Sequence, residues 1–235
     1  MTSSPGSYPV SVEGTLDEDL SRWKWLVKWF LAIPHVIVLI FLFLGVVLAS
    51  IAAWFAILFT GRYPRTLFDY NVGVLRWGWR VGYYAFEVLG TDKYPPFSLD
   101  DDPGYPARLN VAYPEKLSRG LVLVKSWLLA LPHYLIVAVF VGVSYSSTTN
   151  GQTTEMSFPG LISLLVVIAA LVLLFTGKYP GALFNLVMGL NRWVYRVSAY
   201  ALLMTDEYPP FRLDMGGAEG ADPAVSLTAP EPSTG

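Results

Sequence analysis

The sequence predicts an all-α integral membrane protein: two parallel tandem repeats, each a transmembrane helical hairpin followed by an amphipathic interfacial helix, with short extended cytoplasmic segments. Three observations carry this prediction. Hydrophobic residues make up 54% of the 235-residue chain and charged residues only 14%, against about 25% charged in ordinary soluble domains. Two long stretches are almost free of charge. A series of motifs occurs twice in the same order.

The first apolar stretch lies between Lys28 and Arg62, where His35 is the one ionisable side chain. It is too long for a single crossing of a core about 30 Å thick, which needs about 20 residues. It therefore reads as two spans, 24–43 and 46–61, with Gly45 at a tight turn. Lys24 and Lys28, set among Trp23, Trp25 and Trp29, read as an interface anchor. The second stretch, between Lys125 and Lys178, is interrupted by Glu155 within a polar loop, Ser144 to Pro159. It gives spans 122–143 and 160–176. No basic leader precedes the first span, which is expected to act as an uncleaved anchor.

The repeat is explicit. Trp29-Phe30-Leu31-Ala32-Ile33-Pro34-His35 matches Trp127-Leu128-Leu129-Ala130-Leu131-Pro132-His133. Phe59-Thr60-Gly61-Arg62-Tyr63-Pro64 matches Phe175-Thr176-Gly177-Lys178-Tyr179-Pro180. Arg76-Trp77 with Arg80-Val81 returns as Arg192-Trp193 with Arg196-Val197, and Thr91-Asp92-Lys93-Tyr94-Pro95-Pro96-Phe97 as Thr205-Asp206-Glu207-Tyr208-Pro209-Pro210-Phe211. Leu20-Ser21-Arg22 recurs as Leu117-Ser118-Arg119. The offset between copies grows from 98 to 116, and the 18 extra residues fall on the polar loop of the second copy. Repeat 1 thus occupies 8–102 and repeat 2 occupies 103–214. Residues 1–7 and the Gly-, Pro- and Ala-rich tail 215–235 read as disordered.

A third helix in each unit, 65–89 and 181–204, begins after a Tyr-Pro pair. Asp69, Gly73, Arg76, Arg80 and Tyr84 share one stripe, as do Asn185, Gly189, Arg192, Arg196 and Tyr200. If these helices lie on the interface, all 16 Lys and Arg fall on one side of the bilayer, in keeping with the positive-inside rule. If they cross, two Arg per helix sit at mid-membrane, at about 2.5–3.5 kcal/mol each. The interfacial placement is therefore expected, with both termini cytoplasmic and the repeats related by an axis along the membrane normal.

With those motifs in view, the chain resembles the tandem form of a bacterial membrane family known as domain of unknown function 4389. The resemblance spans about residues 8–214. It implies a bacterial inner-membrane protein and hands over no activity and no catalytic residue.

The chemistry that the residues allow is narrow. A net charge of −2 gives no general attraction to nucleic acid. Zero Cys excludes disulfides and thiolate sites. No phosphate-cradling glycine loop, metalloprotease motif or nucleophile elbow is present. The chain is expected to be non-enzymatic, with no cofactor or metal. Arg76, Arg80, Arg192, Arg196, Lys24 and Lys28 are candidates for contact with anionic phospholipid or a membrane protein partner. For the stripe arginines, pairing with Asp69, Asp92 or Asp206, or plain solvent exposure, is the competing reading. His35 and His133 either bond carbonyls freed by Pro34 and Pro132 or form a paired intramembrane ligand set of the kind that holds haem. The leading function is a scaffold or accessory subunit presenting a basic, aromatic cytoplasmic face. Alternatives are a small channel or transporter component, which requires a homo-oligomer, and a haem-binding redox subunit.

Overall fold

A computed structural model describes residues 8–149 and 152–214; the segments read above as disordered, 1–7 and 215–235, lie outside them. The chain is mostly helical, with two small two-stranded sheets, so the all-α expectation is corrected. β1 (Val10–Gly14) pairs antiparallel with β2 (Ala107–Val111), joining the lead-ins of the two repeats. α1 (Trp25–Leu31) and α2 (Ile33–Thr60) open repeat 1; α3 (Arg65–Val81) follows and ends in a π turn, Gly82–Phe86. In repeat 2 a 3-10 turn (Leu121–Leu123) and a π turn (Lys125–Leu129) precede α4 (Leu131–Val141). A hairpin, β3 (Gly142–Thr149) with β4 (Gln152–Pro159), separates α4 from α5 (Leu161–Thr176), and α6 (Gly181–Ala201) closes the repeat.

The largest departure from the sequence prediction is α2, which does not turn back at Gly45. It is one helix of 28 residues, about 42 Å long at 1.5 Å per residue. Gly45 serves packing instead: a Cβ there would overlap the Tyr70 hydroxyl, which donates to the Leu42 carbonyl at 2.9 Å. Pro34 sits in the first turn of α2, where its missing N–H costs nothing, so the predicted span 24–43 divides into α1 and the start of α2. Gly61 and Gly177 end α2 and α5 with φ of 71° and 72° and return N–H bonds to Ile57 and Leu173. This left-handed cap explains the glycine of the repeated Phe-Thr-Gly motif.

Repeat 2 carries the same helix in two pieces. The 11 residues of α4, Gly160 and the 16 residues of α5 together match the length of α2. The hairpin accounts for the 18-residue offset. Gly160 lies against the backbone of Phe140 and Val141, with no room for a Cβ, so the helix closes up across the inserted hairpin.

The third helices are interior elements, not exposed interfacial ones. Phe68, Val72, Trp79 and Tyr83 of α3 and its π turn are buried, and this stripe meets the sheet side: Trp79 donates to the Glu13 carbonyl and Tyr83 to the Thr15 carbonyl. Tyr70, Val74, Trp77 and Val81, on the opposite face at 3.6 residues per turn, join the α2 cluster of Leu39 and Val46. The molecule is therefore layered. β1–β2 forms one surface, α3 and α6 the middle, and α2 with α4–α5 the far side.

Candidate functional site

The polar residues that recur between repeats make the same bonds in each. Lys28 Nζ donates to the Thr91 carbonyl at 2.7 Å and sits 2.8 Å from Asp92. Lys125 Nζ donates to the Thr205 carbonyl at 2.9 Å and sits 2.6 Å from Asp206. Each carboxylate also accepts a lead-in backbone N–H, from Ser21 or Ser118. Both lysines are buried. Lys28 is therefore an internal tie between the first helix and the Thr-Asp segment, and no snorkelling anchor. Lys24, in contrast, is 49% exposed, 3.4 Å from Asp92.

The stripe arginines hold backbone carbonyls. Arg76 donates to the carbonyls of Leu109 and Leu99 and to the Asn110 side chain, at 3.0, 3.1 and 2.8 Å. Arg192 donates to the Val12 carbonyl at 3.2 Å. Each repeat thus grips the strand supplied by the other. Arg80 donates to the Ser98 carbonyl, and Arg196 to those of Arg212 and Asp214. Arg80 and Arg196 are buried, and Arg76 has 15% of its side chain exposed. This geometry turns the candidate lipid-contact stripe into a structural clamp. The carboxylates named for pairing with the stripe have other partners, Asp69 with Arg65, Asp92 with Lys28 and Asp206 with Lys125, and Arg76 lies 4.0 Å from Asp101 instead.

His35 and His133 are fully buried in separate aromatic cages. Trp77 Nε1 donates to His35 Nδ1 at 3.0 Å and Trp193 Nε1 to His133 Nδ1 at 3.1 Å. Phe97 stacks on His35 and Phe211 on His133, with ring centroids 3.8 and 4.5 Å apart. Tyr94 and Tyr208 complete the cages. The structure does not bring the two imidazoles together as a ligand pair. Nor do they bond carbonyls freed by proline; an indole N–H is the partner. The Trp of the Arg-Trp-x-x-Arg motif was the available sequence signal for this.

Sequence reasoning missed Glu87. Its carboxyl is enclosed near the end of α3, 3.4 Å from the Tyr195 hydroxyl. Burial pushes its pKa up to about 7, and the Tyr195 bond offsets part of that rise. A cavity of about 240 Å³ lies beside it, lined mainly by apolar residues of α2 and α3 with Tyr195. The signal was a lone carboxylate between Phe86 and Val88, in a stretch where repeat 1 has two residues more than repeat 2 between Tyr84 and Thr91.

Exposed basic residues gather where the repeats meet. The Arg119 side chain lies over Gly61, next to Arg62, and the Arg22 guanidinium lies over Gly177, next to Lys178. α2, α4 and α5 carry no Asp, Glu, Lys or Arg. α2 is the one helix among the described residues long and apolar enough to cross a membrane, with a mean hydropathy of 3.1 over an 18-residue stretch.

Two like units, interlocked through each other's lead-in strands and carrying an uncharged apolar helical layer, define a duplicated, mostly helical protein. The chain belongs to the family described as Domain of unknown function (DUF4389), whose model matches residues 22–98 and 160–212. The second match begins at Gly160, where the inserted hairpin ends. Nothing matches among curated proteins or among solved structures.

Proposed function

We propose that this chain is a non-enzymatic protein of the bacterial inner membrane, a scaffold or accessory subunit. Its apolar helical layer rests in lipid, and its polar sheet face is presented to a cytoplasmic partner. The observation that carries this reading is the contrast between the two surfaces. Ile37, Ile40, Phe41, Leu44, Leu48 and Phe55 of α2 are exposed large hydrophobics, whereas the opposite surface bears Glu13, Asp101 and Arg108. Contiguous apolar surface of that kind marks a lipid or protein contact. The recurring Lys, Arg and His residues are engaged in holding the fold, which supports a structural role. Tyr8 and Asp214, where the described chain starts and stops, belong to the cytoplasmic side in this reading.

A photo-cross-linking residue placed at Glu13 or at Ile40 tests it in native membranes. A discrete protein adduct is expected from Glu13 and a lipid adduct from Ile40. No protein adduct at Glu13 removes the scaffold role, and recovery of the chain in the soluble fraction removes membrane residence.

A further inference from the structure

We infer that α2 and the α4–α5 helix lie flat in one leaflet of the bilayer, so that the protein is embedded from one side and crosses nowhere with these helices. The inference deepens the membrane reading above and rests on it.

The two repeats are related by symmetry. Val12 pairs with Leu109 in the β1–β2 register, and each is the other's counterpart in the repeat. Trp79 and Tyr195 are also counterparts, and their rings are in contact with centroids 5.3 Å apart. A pseudo-two-fold axis therefore runs through the centre of the sheet and on between α3 and α6. An antiparallel strand pair is exchanged by an axis normal to its sheet.

The same axis sets the long helices head to tail. Trp54, in the last quarter of α2, donates to the carbonyl of Val122, in the 3-10 turn of the segment that leads into α4, at 3.0 Å. Leu117 N–H donates to the Gly61 carbonyl at 2.9 Å. At the other end, Leu16 and Leu20, ahead of α2, face Leu173 and Gly177 at the end of α5. Helices exchanged antiparallel by a two-fold axis run perpendicular to it.

Two membrane orientations remain. If α2 stood along the membrane normal, the axis would lie in the membrane plane and the sheet would sit at mid-bilayer height. Glu13, Arg108 and Asp101 would then face hydrocarbon, where a charged side chain costs about 2.5–3.5 kcal/mol by insertion scales and open strand edges have no partners. If the axis is the membrane normal, the sheet faces water, and the helical layer that faces lipid, α2 with α4–α5, carries no Asp, Glu, Lys or Arg to set against hydrocarbon. The basic residues fit the second arrangement. Lys24 precedes the start of α2, while Arg62 and Arg119 lie at its end. Both ends then meet anionic headgroups of the same leaflet, as in-plane helices do with their apolar faces about 5–10 Å deep.

The absence of Cys makes the test direct. Lys24→Cys and Arg62→Cys are made separately in the full chain. Sealed right-side-out and inverted vesicles are then labelled with an impermeant maleimide, and a denatured sample confirms that each thiol reacts. Both positions are expected to label in inverted vesicles alone. Both labelling in right-side-out vesicles alone also supports in-plane helices and overturns the cytoplasmic orientation. One position labelling from each face, or neither from any face, overturns the in-plane inference while membrane residence stands. Flotation of the same samples reads membrane residence separately. If either substitution disturbs folding, polarised infrared dichroism of the unaltered protein in oriented bilayers replaces it. A mean helix axis near the membrane plane supports the inference, and one near the normal overturns it.

Discussion

Repeat 1 runs its long apolar helix unbroken from Ile33 to Thr60, whereas repeat 2 leaves the corresponding helix after Val141 and rejoins it at Gly160. Around that difference the polar skeleton is the same. Lys28 and Lys125 tie to Asp92 and Asp206, Trp77 and Trp193 donate to buried histidines, and Arg76 and Arg192 grip a strand of the other repeat. What recurs in both halves holds the duplicated fold. What occurs once is the β3–β4 hairpin and Glu87 with its cavity.

The sharpest way to break the comparison is to cut one tie in each half. Lys28→Met leaves the Asp92 carboxylate and the Thr91 carbonyl short of a donor, and Lys125→Met does the same to Asp206 and Thr205. Losing one partner of a fully buried pair costs about 3–5 kcal/mol. Here the carboxylates keep some access to water, 15% and 26%, so about 3 kcal/mol is expected at each site. In detergent that lowers Tm by about 6–12 °C. Equal losses mean equal duty; a loss in one half alone would break the equivalence.

A smaller effect separates the halves. In the folded chain Glu87 holds its proton up to about pH 7, above the ordinary carboxylate range. The unfolded chain releases that proton near pH 4.5, so stability falls as pH rises from about 4.5 to 7 and is level above that. The loss is about 2 kcal/mol once partial exposure is allowed for. Thermal scans of the parent chain and of Glu87→Gln across this range should diverge, with the variant lacking the decline. Parallel curves for parent and Glu87→Gln would mean that the Glu87 carboxyl is already ionised in the fold.

Much of this was legible in the residues. The duplication, the membrane-compatible stretches and the 18-residue insertion all follow from motif spacing. Gly45 misled because a glycine amid a long apolar run reads as a turn; that Tyr70 needs the space is a contact 25 positions away, invisible to local pattern. The arginine stripe misled for a related reason. At helical spacing Arg76 and Arg80 read as one exposed polar face, but their partners are carbonyls of Leu109, Leu99 and Ser98, and backbone acceptors leave no mark in a sequence. The histidines read as partners of proline-freed carbonyls or as a ligand pair, whereas their indole donors come from another helix. Glu87 was passed over because it lies outside the apolar stretches and is enclosed by residues distant in sequence, Tyr195 of the other repeat among them.

The smallest expected change probes the deepest part of the comparison. Deleting residues 142–159 joins Val141 to Gly160 and gives repeat 2 an uninterrupted helix of the same length as α2. Apart from pairing with each other, β3 and β4 touch the body mainly through α4, and the side chains of the hairpin are mostly exposed. Little packing is lost, and closing a shorter connection is entropically cheaper. The shortened chain is expected to fold with Tm within about 2 °C of the parent, a change below about 0.5 kcal/mol, and with higher helicity per residue by circular dichroism. Gly142, whose φ of 92° serves the exit from α4, leaves with the insertion, and Gly160 takes the helical position that Leu44 fills in repeat 1. A mid-helix glycine costs about 1 kcal/mol relative to alanine, so Gly160→Leu in the shortened chain should recover stability. A shortened chain that aggregates, or shows no gain in helicity, would mean that α4 and α5 are separate elements and that the hairpin is part of the scaffold shared by the fold.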